Sequence, residues 1–422
     1  MSDRAEASGS LVAPLVVPLG GEVPLRRRAL LDPPVLRNSE VAWKDGVITH
    51  VGPPRKIAKP GHRLERAAIV PGFVDCHTHL PFFGWRADEY VARLEGRTYR
   101  DLHGEGGGIG RSARMLADAS DEEVLAFCLP LAAEMLAHGT VAIELKTGYG
   151  LSVEAELRQA RLARRLAEAV EQTCTVTLLA CHAVPPGMER AAWVDAACDE
   201  LIPCAAEEGL ADAIDVYVED LAFTVEDLER VAAAASRAGL PFRCHADQLG
   251  PSRAAQAASR LGARSADHLN HIDEDGVAAL ASSETTAVLL PTSTFTLRAK
   301  PPPARELLEA GAAVAVATDF NPGTSPVLSM PEAIAMACTM YGIPPLAALG
   351  ATTANAAAVL GLSGELGSLA PGKRADFVVL DVDDPSEVPY RPGHNPVRAT
   401  IVGGRVVAGA MESGGRAISS GR

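Results

Sequence analysis

Two histidines that lie two residues apart follow an apolar run near residue 70. The run leads into Asp75, His77 and His79. Because neighbouring side chains of an extended strand point to opposite faces, these three side chains are expected on one face. Neutral imidazole is the commonest protein ligand for zinc and also suits iron. The spacing therefore predicts half of a metal site, with a pair of structural core histidines as the alternative.

Further apolar runs end in residues of the same chemical type. His245 and Asp319 each close such a run, and together with His77 and His79 they would make a site of three imidazoles and one carboxylate. A divalent metal in that site lowers the pKa of water toward ~7 and polarises a carbonyl, as amide hydrolysis requires. Asp319 could also accept a proton. His268 ends another run and could stabilise an oxyanion, or it could be a structural histidine bonded to a backbone carbonyl.

These residues need a scaffold that brings the ends of several strands together. Short apolar runs alternate with longer helical segments rich in Ala, Leu and Glu, which is typical of repeated βα units. Eight such units predict an α/β fold with a TIM-like (β/α)8 barrel, whose active sites form at the carboxyl ends of the strands. The candidate strands are 69–79, 141–146, 175–182, 213–219, 241–245, 263–268, 287–291 and 313–319.

Helix-terminus signals support this count of units. Ser120 and Thr224 each precede an acidic residue by three positions, which fits the capping box at a helix start. Gly139 and Gly239 follow helical segments and are expected to end them.

The two ends of the chain have a different character from the middle. A hairpin with an Asp45-Gly46 turn is predicted near the N-terminus, and alternating apolar strands recur after residue 375. We therefore expect residues 1–70 and 363–422 to form a small β-sandwich domain, which ends in a loose tail, beside a barrel domain of residues 71–362.

Composition excludes several classes of function. The 422 residues include 47% hydrophobic and 22% charged residues, and the formal net charge of −14 opposes binding to nucleic acid or to anionic lipid. No apolar run is long enough to span a membrane, and the start of the chain is unlike a basic signal peptide. Eight cysteines without a CxxC pair suggest free thiols, and hence a cytoplasmic protein.

The strand-end histidines and aspartate resemble those of the amidohydrolase superfamily. Four longer segments are similar to signature stretches of the imidazolonepropionase family, and the similarity runs in order over nearly the whole chain. These segments are 106–109, 141–151, 181–186 and 317–326.

The resemblance implies a function, a cofactor and a set of site residues. Members of this family hydrolyse 4-imidazolone-5-propanoate to N-formimidoyl-L-glutamate in histidine degradation, with one zinc or iron ion, and they tend to form homodimers. The implied metal ligands are His77, His79, His245 and Asp319. The implied substrate contacts are Arg86, Tyr149, His182, Gln248, Asn321, Gly323 and Thr324.

Two positions bear on the reaction and on the number of metal ions. Gln248 stands where many members of the wider superfamily have a glutamate, and an amide cannot titrate. Catalytic proton transfer is then expected to rest on Asp319 and His268, with Gln248 in a supporting role, which argues against a deaminase. The fourth strand ends in Glu219 and has no lysine to bridge two metals, which favours one ion.

Other interpretations stay open at this point. A different enzyme class, an aminohydrolase of a nitrogen heterocycle, would share the fold and metal, and a non-catalytic barrel scaffold is the third alternative. Arg86 could pair with a neighbouring acid on a solvated loop, and Tyr149 could fill a turn. Phe83 and Trp85 are expected to narrow the mouth of the pocket. Lys146 and Glu144 are expected to form ion pairs and to have no catalytic role.

Overall fold

The fold consists of two sheets and the helices packed around one of them. The computed structural model describes residues 7–55, 62–98, 101–102, 106–220 and 222–411. The predicted loose tail, from residue 412 onward, lies outside the described residues.

The first sheet joins the two ends of the chain, as predicted. Its eight strands are β1 (Gly9–Val16), β2 (Leu36–Lys44), β3 (Val47–Gly52), β4 (His62–Arg63), β5 (Ala68–Pro71), β14 (Phe377–Leu380), β15 (Val397–Val402) and β16 (Arg405–Gly409). They run in the order β16-β15-β14-β5-β1-β2-β3, with β4 paired to β1.

This sheet curls over on itself into a sandwich. Trp43 on β2 and Phe377 on β14 lie three strand steps apart along the sheet, yet their ring centroids are only 5.2 Å apart. A flat sheet would separate strands three steps apart by about 14 Å. The two halves therefore face each other across a shared apolar layer. The predicted hairpin turn is also confirmed, with Asp45 and Gly46 both at positive φ, 52° and 77°.

The second sheet is the predicted parallel barrel. Its eight strands follow one another in chain order, and every neighbouring pair is parallel. The segments just beyond the first and last strands meet through an isolated parallel bridge between Thr78 and Phe320. The strands are β6 (Phe73–Asp75), β7 (Thr140–Lys146), β8 (Thr173–Cys181), β9 (Ala213–Val218), β10 (Phe242–Ala246), β11 (Ser265–His268), β12 (Thr286–Leu289) and β13 (Val314–Val316).

Helices cover the outside of the barrel, and both predicted capping boxes are present at Ser120 and Thr224. None of the helices among the described residues is long and apolar enough to cross a membrane. The α-helices are Arg27–Leu31, Ala87–Leu94, Gly108–Asp118, Asp121–Ala137, Val153–Ala169, Arg190–Ala196, Ile202–Glu207, Val225–Arg237, Ala254–Leu261, Glu274–Ala281, Pro291–Leu297, Ala304–Ala310, Met330–Tyr341, Pro345–Ala351, Ala354–Leu360 and Glu387–Tyr390, with a π-helical turn at Ala197–Leu201.

The prediction of one continuous strand over residues 69–79 was wrong. The chain leaves the first sheet after Pro71 and enters the barrel at Phe73. At this crossing the Gly72 backbone passes close to Val141, and a Cβ on residue 72 would lie only 2.4 Å from the Val141 side chain. His79 lies beyond the end of β6, and its backbone N–H donates to the Phe320 carbonyl at 2.9 Å. Contact with the last strand of the barrel thus positions this residue.

A buried amide fastens the N-terminal segment to the barrel. The Asn355 side chain accepts a hydrogen bond from the Leu25 N–H at 2.6 Å and donates to the carbonyls of Leu25 and Val314 at 3.0 and 2.7 Å. Leu25 is almost fully buried in the same core as the barrel helices. Asn355 therefore satisfies three backbone groups that water does not reach.

Replacing Asn355 by Ala is expected to lower the free energy of unfolding by about 2–3 kcal/mol, because buried backbone groups lose their partners. Urea unfolding followed by circular dichroism would measure the change. Asn395→Ala is the control, since Asn395 is exposed and donates to a single carbonyl at 3.0 Å. Equal stability of the two variants would contradict the assigned role of Asn355.

Candidate active site

A cleft opens at the carboxyl ends of the barrel strands. About 440 Å³ lies between its walls, and this space includes the solvent at its open mouth. The cleft contains ten of the twelve residues that the sequence predicts for the site; of the remaining two, His77 and Gly323, the first lies beneath it and the second packs against Arg86. The lining residues are His79, Arg86, Ile109, Tyr149, His182, Tyr217, His245, Gln248, Leu249, His268, Leu297, Asp319, Asn321 and Thr324.

The predicted metal ligands come together at the floor of this cleft. One ring nitrogen from each of His77, His79 and His245 lies within 4.8 Å of the others, and His77, His268 and Asp319 meet the same limit. The Asp319 Oδ1 atom is 3.2 Å from His79 Nε2 and 3.6 Å from His77 Nε2. Strands on opposite sides of the barrel thus supply one compact group of nitrogen and oxygen atoms.

The protonation states of this group fit a divalent cation. Burial, together with nearby positive groups, holds the pKa of His77 and of His79 well below its usual range, so both rings are neutral. The Nε2 atom of His77, the Nδ1 atom of His79 and both ring nitrogens of His245 have no hydrogen-bond partner among the described residues. Buried polar atoms without partners are unfavourable. A metal ion would satisfy one nitrogen of each ring, and imidazole is a ligand type that zinc and iron accept.

Asp75 does not share the metal face with the histidines, contrary to the strand-alternation argument. Its carboxylate accepts hydrogen bonds from the Thr318 N–H at 3.0 Å and from the Thr318 hydroxyl at 2.5 Å. Burial raises the pKa of Asp75 to about 7. Because Thr318 directly precedes Asp319, these bonds fix the backbone that carries this predicted ligand.

Arg86 lies at the side of the cleft with its guanidinium buried. The Nε and Nη1 atoms have no hydrogen-bond partner among the described residues, and Nε is 3.7 Å from Glu89, too far for a hydrogen bond. Asp88 pairs instead with Arg111 at 2.6 Å. Gly323 packs directly on the guanidinium, since a Cβ there would lie 1.6 Å from Nη2. Of the ion-pair alternative for Arg86, the pairing with Glu89 is present at 3.7 Å, but both side chains are buried and not on a solvated loop.

Tyr149 and His182 form one wall of the cleft. The His182 ring stacks on His79 with centroids 5.2 Å apart, and the Tyr149 ring centroid lies 5.4 Å from that of His182. His182 Nδ1 is 3.0 Å from the Gly148 carbonyl, so Nδ1–H donates there. A Cβ at Gly148 would lie 2.7 Å from this ring, which explains the glycine.

Buried acceptors that the sequence analysis missed hold the loop carrying Tyr149. Glu156 accepts hydrogen bonds from the N–H groups of Gly148, Gly150 and Leu151 at 2.7 to 3.1 Å. The Gln159 side chain accepts from the Tyr149 N–H at 2.9 Å. One feature of the sequence could have indicated these contacts. Glu156 and Gln159 are an acid and an amide three residues apart, in the helix directly after the glycine-rich loop.

Gln248 is held in a similar way by Glu219. The N–H groups of Gln248 and Leu249 donate to Glu219 Oε1 at 2.5 and 2.9 Å. Burial raises the pKa of Glu219 to about 7. The carboxylate at the end of the fourth barrel strand therefore supports a loop of the cleft.

The Asn321 side chain forms hydrogen bonds within its own turn. Its Oδ1 atom accepts from the N–H groups of Gly323 and Thr324 at 2.9 and 2.7 Å, and its Nδ2 donates to the Asp319 carbonyl at 2.7 Å. Tyr217, Leu249 and Leu297 also line the cleft and were not predicted. They lie in β9, in the loop after β10 and at the end of the helix Pro291–Leu297, which carry no distinctive motif.

Comparisons with known proteins agree with this architecture. Residues 68–407 match the model of the Amidohydrolase family. The chain is 43% identical over 376 residues to an imidazolonepropionase of Paracidovorax citrulli (strain AAC00-1), covering 88% of this chain and 90% of that protein. It is 41% identical over 374 residues to an imidazolonepropionase of Rhizorhabdus wittichii, covering 87% of this chain and 94% of that protein.

Solved structures show the same fold at lower sequence identity. An adenosine deaminase from Xanthomonas campestris with bound zinc superposes with a TM-score of 0.68 at 20% identity, covering 95% of this chain and 92% of that chain. An N-isopropylammelide isopropylaminohydrolase from Burkholderia multivorans gives a TM-score of 0.67 at 21% identity, covering 95% and 98%. The family match and the identity to the curated relatives establish that this chain belongs to the imidazolonepropionases of the amidohydrolase family.

Proposed function

We propose that this protein hydrolyses 4-imidazolone-5-propanoate to N-formimidoyl-L-glutamate, a step of histidine degradation, with one zinc or iron ion. The observation that carries the proposal is a buried guanidinium on the same cleft as a cluster of three imidazoles and a carboxylate; two of its nitrogens have no hydrogen-bond partner within the part of the chain that the structure describes. The carboxylate arm of the substrate would meet the guanidinium, and its ring carbonyl would meet the cluster. The proposal includes a cytoplasmic location and a homodimeric assembly.

Arg86 is the proposed clamp for the propionate arm. A guanidinium matches a carboxylate with two parallel hydrogen bonds, and burial strengthens such a charged pair. Tyr149 and His182 would pack against the flat ring, and Gln248 and Thr324 offer polar groups from the opposite loops. The clamp would hold the ring in one orientation relative to the histidine cluster.

His77, His79, His245 and Asp319 are the residues proposed to hold the metal. When bound, the ion would acidify the attacking water and polarise the ring carbonyl. Lys146 does not offer a site for a second ion, because its ammonium pairs with two buried carboxylates at 2.6 and 3.0 Å.

Asp319 and His268 are the proposed proton-handling residues. Burial raises the pKa of Asp319 above its ordinary value, which makes it a better proton acceptor. In the proposed step, Asp319 takes a proton from water as the carbon–oxygen bond forms. It returns that proton to the ring nitrogen as the carbon–nitrogen bond breaks. Burial lowers the pKa of His268 to about 3, so its neutral ring would donate a hydrogen bond to the developing oxyanion.

The first experiment is to incubate the protein with freshly generated substrate while following the loss of ring absorbance and the formation of N-formimidoyl-L-glutamate. Rapid product formation is expected, and removing the metal with a chelator should abolish it until zinc or iron is restored. Asp319→Ala should be inactive, whereas Asp88→Asn, an exposed acid near the cleft, should keep its activity.

Turnover by metal-free protein, checked by elemental analysis, would contradict the metal role. Release of ammonia instead of the formimidoyl product would support the aminohydrolase alternative. Metal-loaded protein that turns over neither kind of substrate would favour the non-catalytic scaffold.

Arg86→Ala is expected to raise KM roughly 100-fold or more with a smaller change in kcat, because a buried carboxylate would lose its charged partner. Steady-state kinetics over a range of substrate concentrations would separate the two constants. Arg111→Ala is the matched control, since Arg111 pairs with Asp88 on the rim of the same region. An unchanged KM in Arg86→Ala would rule out the clamp.

A further inference from the structure

Five charged side chains lie fully buried inside the barrel beneath the histidine cluster. They come from β7, β9, β10 and β11, and none is more than 1% exposed. Three are acids and two are bases. Burying this many charges is unfavourable unless each is paired. The five are Glu144, Lys146, Asp215, Arg243 and Asp267.

These side chains form one continuous row of ion pairs in which acids and bases alternate. Lys146 Nζ lies 2.6 Å from Asp215 Oδ2 and 3.0 Å from Glu144 Oε2. Arg243 Nη1 pairs with Glu144, and Arg243 Nη2 lies 3.1 Å from Asp267 Oδ2. Glu144 is therefore the central acid that joins the two cations.

The two acids at the ends of this row of charges, Asp267 and Asp215, each lie next to a proposed metal ligand. Asp267 Oδ2 is 2.6 Å from His77 Nδ1, a short hydrogen bond between two fully buried groups. Asp215 Oδ2 is 3.1 Å from His245 Nδ1, a close approach that is not aligned as a hydrogen bond. Arg243 Nη2 also donates to the Cys76 carbonyl at 2.7 Å, directly before His77.

We propose that Asp267 and Asp215 are positioning residues for the metal ligands His77 and His245, and that Glu144 couples the two through its flanking cations. Asp267 accepts the proton on Nδ1, which leaves Nε2 of His77 with the lone pair that a metal requires. The charges of the five side chains sum to −1, which favours a dication above them. The proposal rests on the metal site of the proposed function.

The test is the zinc affinity of Asp267 variants, measured by competition with a chromophoric chelator. Asp267→Ala is expected to weaken binding roughly 10- to 100-fold. Asp267→Asn should weaken it less, because the amide oxygen can still accept from His77 and Arg243 while the charge is lost. The visible spectrum of the cobalt-substituted protein should also change in Asp267→Ala, since a displaced imidazole alters the ligand geometry.

Asp376→Asn is the matched control. Asp376 is also a buried carboxylate paired with an arginine, Arg374, at 2.5 Å, but it lies in the other sheet region. It should lower stability without changing zinc affinity or the cobalt spectrum. A purely structural role for Asp267 would make its variants resemble this control.

Coupling is tested by the double variant Asp267→Asn/Asp215→Asn. If one network holds both ligands, its loss of affinity should be smaller than the product of the two single losses. Losses that multiply would overturn the coupling. Wild-type affinity and spectrum in Asp267→Ala would overturn the positioning role; if that variant does not fold, Asp267→Asn decides by the same criterion. Wild-type protein that binds no zinc would instead refute the metal site itself.

Discussion

The burial of three imidazoles beside a carboxylate is the constraint on which the rest of the structure depends. Nitrogen atoms of His77, His79 and His245 find no partner among the described residues, and such atoms are unfavourable in a dry interior unless a ligand meets them. Burial keeps the first two rings neutral by lowering their pKa. The same burial raises the pKa of Asp319. One cation would offset these costs in part, because it would bind one nitrogen of each ring and the carboxylate together.

Buried acids hold the surrounding backbone in place for this cluster. Glu156 and Glu219 each accept hydrogen bonds from backbone N–H groups of a loop that lines the cleft. Asp75 does the same for the segment before Asp319. In each case a carboxylate satisfies donors that the loop conformation leaves without a partner. The loops of the cleft are therefore fixed by polar contacts with the barrel, which suits a site that must hold a small ligand in one orientation.

Much of the site could be predicted because its residues end apolar runs. His245, His268 and Asp319 could be placed at strand ends by pattern alone, and a parallel barrel gathers such ends at one rim. Asn321 lines the cleft as predicted, but its side chain accepts two hydrogen bonds within its own turn, a role that the strand-end pattern does not indicate. Asp267 directly precedes His268 in the sequence, yet its partner is His77, 190 residues away. No local pattern indicates that pairing.

The sequence by itself determined the number of βα units, the residues at the strand ends, the helix caps and the family. These features depend on side-chain periodicity and on contacts between near neighbours in the chain. Only the tertiary structure decided that residues 69–79 divide between two sheets, that Arg86 is buried against Gly323, and that Asp267 supports His77. These features depend on the register and closure of the barrel. Register and closure set which side chains from distant parts of the sequence are buried together and must form hydrogen bonds or ion pairs with one another.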